Sequence, residues 1–130
     1  MTDRQLIEYA VEVSKNAYAP YSRFAVGAAI ECSDGTVYTG CNIENAALGC
    51  TICAERGAVS KAVSEGRRNF KRIAVYSDSR DYCVPCGTCR QVLSEFSPDM
   101  EVLCVRNDGR YVSYRLSNLL PESFNKEYFN

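Results

Sequence analysis

The segments CAERGAVSKAVSEG (53–66), RIAVYSD (72–78) and PCGTCRQVLSEF (85–96) decide the fold. In the first, Ala54, Ala58 and Ala62 recur with Val59 and Val63 at helical spacing, and Gly66 stands where a helix is ended. The second is an apolar run of the length and composition of a buried strand. In the third, Pro85 precedes a helix from Cys86 to Phe96 in which Cys89, Val92, Leu93 and Phe96 share a face. A helix, a strand and a helix in direct succession make a layered α/β domain. Both helices start at a cysteine, Cys53 and Cys86.

Toward the N-terminus, Thr2 and Gln5 form a capping box, and Leu6, Ala10, Val13 and Ala17 then fall on one face of a helix expected from Asp3 to Tyr18 and ended by Pro20. Phe24 to Glu31 and Thr36 to Asn42 read as a hairpin turning at Ser33-Asp34-Gly35. Toward the C-terminus, Glu101 to Arg106 and Arg110 to Arg115 read as strands around Asn107-Asp108-Gly109, and Ser117 as the cap of a short helix stopped by Pro121. The sum is roughly five strands and three or four helices. With no repeat, linker or low-complexity stretch, residues 1–130 are expected to form a single domain, for which 46% hydrophobic residues supply a core.

A net charge of -1 offers no basic surface for a phosphate backbone or an anionic membrane, so neither nucleic acid nor membrane is an expected partner. No stretch is long and apolar enough to span a bilayer, and the first residues lead into an amphipathic helix rather than a signal peptide. The expected location is the cytoplasm.

The chain holds 8 cysteines and no histidine, so a transition-metal site must rest on thiolates and a general base on a carboxylate, Lys, Tyr or Cys. Cys50 to Cys53, Cys83 to Cys86 and Cys86 to Cys89 all have C-x-x-C spacing. A structural four-thiolate site could take Cys50, Cys53, Cys86 and Cys89, although a helix and a strand intervene. An iron–sulfur site could start from Cys83, Cys86 and Cys89, but its fourth position holds Leu93. A catalytic zinc site needs three protein ligands and an open position, which Cys53, Cys86 and Cys89 satisfy. Two of these lie at helix N-termini, where the dipole favours the thiolate. Glu55, on the first turn after Cys53, selects the catalytic reading: a structural site has no use for it, whereas a carboxylate can take the proton of a metal-activated water. Cys50 and Cys83, one turn too early, read as ordinary thiols, and nothing assigns a role to Cys32, Cys41 or Cys104.

Cys53-Ala54-Glu55 followed by Pro85-Cys86-Gly87-Thr88-Cys89 resembles the zinc deaminase signature. Ala19-Pro20-Tyr21-Ser22, Phe24-Ala25-Val26-Gly27-Ala28-Ala29, Cys41-Asn42-Ile43-Glu44-Asn45-Ala46, Cys89-Arg90-Gln91-Val92 and Leu119-Leu120-Pro121 extend the likeness to the small homotetrameric cytidine deaminases over nearly the whole chain. The resemblance implies a three-layer α/β/α sandwich with a mixed five-stranded sheet, one zinc per chain, and active sites at the subunit contacts of a homotetramer. It implies deamination of cytidine and 2'-deoxycytidine in pyrimidine salvage. By analogy Asn42 and Glu44 bond the ribose, Phe24 packs on the base, the backbone of Ala54 reads the cytosine edge, and Phe124 comes from a neighbouring subunit. Three thiolates exceed the charge of a zinc dication; Arg56 and Arg90 are candidates to offset the excess, and the resemblance favours Arg56. Leu48, where an aromatic is expected, and Gly57, where a helix former is expected, depart from the pattern. The rival readings are a blasticidin S deaminase and a non-catalytic four-cysteine zinc or iron–sulfur module.

Overall fold

A computed structural model describes residues 1–129. Position 130, where the expected single domain closes, lies outside them. Helix α1 spans Asp3–Ser14 and opens on the expected capping box: Gln5 N–H donates to the Thr2 hydroxyl at 3.2 Å, and Thr2 N–H donates to the Gln5 side chain at 2.9 Å. The helix stops four residues before the expected end. Its exit is set by pairing rather than by Pro20, since Tyr18 N–H donates to Asn42 O at 3.0 Å and Glu44 N–H to Tyr18 O at 2.8 Å.

Strands β1 (Val26–Cys32) and β2 (Val37–Cys41) form the hairpin, with Gly35 at φ 88° in its turn. Then follow α2 (Ala54–Ser64), β3 (Phe70–Ser77), α3 (Gly87–Phe96), β4 (Glu101–Val105), β5 (Tyr111–Arg115) and the short α4 (Leu116–Leu119). Gly66, at φ 86°, ends α2 with Gly66 N–H and Arg67 N–H donating back to Val63 O and Ala62 O. Ser117 lies inside α4 and does not cap it; the fully buried Leu116 seats that turn against the core instead.

The sheet order is β2-β1-β3-β4-β5. Every neighbouring pair is antiparallel except β3 and β4, which run parallel with α3 in the crossover between them. Alternate residues of the central strands serve two cores. Ala28, Ile30, Ile73, Val75, Val102 and Cys104 pack with Ala54, Ala58 and Ala62 of α2 and Leu93 of α3. Ala29, Ala74, Leu103 and Val105 pack with Leu6, Ile7 and Ala10 of α1. Burial on both faces explains the continuous apolar runs in β1 and β3, and it makes the fold the expected three-layer α/β/α sandwich with a mixed five-stranded sheet.

Both helices approach the sheet across glycine. A Cβ at Gly27 would meet Ala10 O of α1 at 2.0 Å, and one at Gly40 would meet Ala54 O of α2 at 2.4 Å. The Gly40 contact draws the first turn of α2 onto the sheet, with Cys53 and Glu55 at its start.

Candidate active site and metal centre

Cys53 and Cys86 occupy the N-cap positions of α2 and α3, and Cys89 lies buried on the first turn of α3. Neither N-cap cysteine makes a side-chain capping bond to its helix. Their sulfurs are free to face one another, at 3.8 Å, and the three Sγ atoms all lie within 4.8 Å. Tetrahedral zinc with Zn–S of about 2.3 Å needs sulfurs about 3.8 Å apart, so the donor set fits the ion in number, type and spacing. Cys50 is exposed on the turn Leu48–Cys50 and outside this cluster, which leaves the four-cysteine alternative one ligand short. Cys32 and Cys104 are buried, and Cys41 and Cys83 are half-buried.

The electrostatics favour thiolate at this point. Hydrogen bonding from Cys89, with help from Arg56, lowers the Cys53 thiol to about 5, while the same pairing and burial raise Cys89. Arg56 donates from Nη2 to Cys53 Sγ at 3.5 Å and to Thr51 O at 3.3 Å. Its Nε–H is buried with no acceptor among the described residues. Arg90 does not turn toward the sulfurs. It donates to Pro85 O at 2.8 Å and Leu119 O at 3.0 Å, tying α3 to the loop before it and to α4.

Glu55 is 4% exposed, and burial raises its carboxyl above the ordinary carboxylate value, reinforced by the neighbouring charge of Cys53 and opposed by its own backbone N–H. A carboxyl so held takes up a proton more readily than an exposed one, as a proton carrier must.

Glu55, Cys53 and Cys86 line a cleft of about 380 Å3 together with Phe24, Asn42, Glu44 and Ala54. A larger depression, about 480 Å3, lies along the exposed face of α1 and holds none of these groups. The cleft wall is built by local pairing: Ile43 and Ile52 exchange backbone bonds of 2.9 Å, which pins the Asn42–Glu44 segment just ahead of Cys53. Asn42, 8% exposed, accepts the Val26 N–H at 2.9 Å and donates to Phe24 O at 2.7 Å, so it also shapes the segment that carries Phe24, which precedes β1 rather than opening it as the sequence suggested. Glu44 accepts the N–H groups of Tyr21 and Ser22 at 3.0 Å each and the Ser22 hydroxyl, and these bonds hold its carboxyl below the ordinary range.

Phe124 is not in this cleft. It stacks on Tyr128 at 4.9 Å, exposed, with its backbone oxygen accepting from Gln91 Nε2 at 2.8 Å. Ser22, Val26, Thr51, Cys83 and Val84 complete the lining and were not among the expected site residues. Of these only Ser22 makes polar contacts with two expected residues, Glu44 and Phe24; the one signal that could have found it is its place in the family-like segment Ala19-Pro20-Tyr21-Ser22.

Residues 1–105 match the family described as the cytidine and deoxycytidylate deaminase zinc-binding region. The chain is 48% identical over 130 residues to a cytidine deaminase of Halalkalibacterium halodurans, with 98% of each chain covered. It superposes on the crystal structure of cytidine deaminase from Burkholderia pseudomallei with a TM-score of 0.92 at 43% identity, covering 95% of this chain and all of the other. Blasticidin-S deaminase of Bacillus cereus is more distant, at 33% identity over 132 residues, with 95% and 93% covered.

Proposed function

The chain belongs to the cytidine and deoxycytidylate deaminase family, and on that premise we propose that it hydrolyses cytidine to uridine and ammonia with Glu55 as the proton carrier. The observation that carries this reading is a buried carboxyl two residues after the first member of a three-cysteine cluster, lining a cleft with Phe24, Asn42 and Glu44.

Zinc held by Cys53, Cys86 and Cys89 supplies a Lewis acid that brings the pKa of a water to about 7. Glu55 accepts a proton from the attacking water and delivers it to N3 of the base, which makes C4 electrophilic. As the C4–O bond forms, the C4–N3 double bond becomes single and C4 becomes tetrahedral. Glu55 then moves the proton of the new C4 hydroxyl to the amino nitrogen; the C4–N bond breaks as the C4 carbonyl forms, and ammonia leaves. Arg56 offsets the third thiolate charge through its N–H on Cys53. Phe24 packs its ring on the base, the Ala54 backbone reads the cytosine edge, and Asn42 and Glu44 take the ribose.

The exposed apolar side chains Leu48, Ile52, Phe124, Tyr128 and Phe129 support assembly into a homotetramer, with Phe124 completing a neighbour's cleft. Among the described residues no helix is long and apolar enough to cross a membrane. The same reading takes residues 1–130 as one domain, extends the substrates to 2'-deoxycytidine, and places the enzyme in cytoplasmic pyrimidine salvage.

The test pairs substrate choice with one substitution. Loss of the cytosine absorbance is followed with cytidine, deoxycytidine, cytosine and blasticidin S; turnover of the nucleosides and not of the other two is expected. Glu55→Gln should cut kcat by about 10^4 with zinc retained. Substantial activity in that variant removes Glu55 from the mechanism.

A further inference from the structure

Ser22 lies at the rim of the cleft and makes bonds that no step of the reaction above uses. Its hydroxyl donates to Glu44 Oε2, while its backbone N–H and that of Tyr21 donate to Oε1 at 3.0 Å each. The same hydroxyl oxygen accepts the Phe24 N–H at 3.0 Å. A single side chain thus joins the carboxylate facing the sugar to the residue facing the base.

An ionised carboxylate offers about four acceptor positions. The Tyr21 and Ser22 donors fill three of them, so the position left for substrate lies on Oε2, beside the Ser22 hydroxyl. The terminal torsion of a glutamate is broad and has no strong rotamer preference. The direction of that remaining lone pair is therefore set by its hydrogen bonds, and on Oε2 the bond is Ser22's alone.

The backbone supports this arrangement. Arg23, between Ser22 and Phe24, has φ 58°, a left-handed conformation unfavourable for a residue with a side chain. Its N–H closes the turn on Ala19 O at 2.9 Å. A conformation of this kind persists where its surroundings over-determine it, and here it places the Ser22 hydroxyl between its two partners.

We infer that Ser22 is a positioning residue for substrate, its hydroxyl fixing the Glu44 carboxylate and the Phe24 backbone in one frame so that sugar and base are seated together. The inference rests on Glu44 and Phe24 contacting the nucleoside, as proposed above. It acts on binding before the proton transfers, so its signature is in KM rather than kcat.

The experiment measures kcat and KM for cytidine in the zinc-loaded protein and in Ser22→Ala, Ser22→Thr, Glu44→Ala and the Ser22→Ala/Glu44→Ala double variant. Ser22→Ala should raise KM about tenfold with kcat within about twofold, the size expected for losing one bond to a charged group. Ser22→Thr, which keeps the hydroxyl, should recover most of that loss. Added to Glu44→Ala, the Ser22 change should move KM by less than about twofold, because the partner through which it acts is gone. An effect as large in the double variant as in the single one, or equal losses in the Ala and Thr variants, overturns the proposal. So does an unchanged KM in Ser22→Ala when Glu44→Ala raises it. A Glu44→Ala variant with unchanged KM overturns the sugar contact itself, and the proposal with it.

Discussion

Gly40→Ala tests how the site is held against the sheet. The added Cβ would lie 2.4 Å from Ala54 O and 2.5 Å from Ala58 N. Those atoms are hydrogen-bond partners in the first turn of α2, so the methyl enters between backbone groups that have no rotamer to change. Relief needs the turn to withdraw by about 1 Å to reach ordinary contact. Overpacking of this kind costs about 1–3 kcal/mol, or about 4–12 °C in Tm for a chain of this size. The same turn carries Glu55 and follows Cys53, and a misplacement of about 1 Å lowers turnover about 100-fold. Differential scanning calorimetry and cytidine turnover on the zinc-loaded variant read the two effects. Gly57→Ala is the control on the same seam. Its Cβ would sit 3.6 Å from Gly40 Cα and 3.9 Å from Cys41 O, in ordinary contact, so restoring helix propensity should stabilise by up to about 1 kcal/mol. A Gly40→Ala variant with Tm within about a degree and kcat within about twofold of the parent would refute the close-approach argument.

Arg56→Ala should lower kcat by about 10- to 100-fold and speed zinc loss to a chelator, by removing the donor to Cys53 Sγ; unchanged rate and retention would leave the third thiolate charge to be offset elsewhere. In protein stripped of metal, alkylation of Cys53 by iodoacetamide should rise as pH passes about 5 and level off above it, because the reactive thiolate is the form present above the pKa. Cys83, pushed up to about 11 chiefly by burial, should be labelled only in strongly alkaline solution. Peptide mass spectrometry reads both, and a Cys53 profile rising near the ordinary thiol value of about 8.5 would contradict the assigned hydrogen bonding.

Periodicity located α2 and α3 to within a residue, and with them the placement of Cys53 and Cys86 at the helix starts. That part was legible because helix ends are local. The parallel pairing of β3 with β4 was not readable from the residues, since strand partners are chosen across the whole chain. The exit of α1 was placed too late because the competing interaction, Tyr18 with Asn42, spans 24 positions. Ser117 looked like a cap, but the burial of Leu116 positions α4. Arg56 and Arg90 each follow a motif residue and the resemblance favoured Arg56; the geometry agrees, aiming Arg56 at sulfur and Arg90 at carbonyls. Ser22 stood in the family-like segment Ala19 to Ser22, but the residues assigned it no role because its contacts depend on how the chain turns at the left-handed Arg23.

At most helix starts a Ser, Thr, Asn or Asp oxygen satisfies a leading N–H group. Here both N-caps beside the site are cysteines whose sulfurs make no such bond. The atoms that would secure α2 and α3 are the atoms reserved for the ion, so metal affinity and folding stability are linked functions in this protein. Free zinc then acts as a stabilising ligand, contributing about 4.1 kcal/mol at a thousandfold excess over its Kd. A chelator is, by the same linkage, a mild denaturant. Melting temperatures of variants are comparable only at a fixed free-zinc concentration.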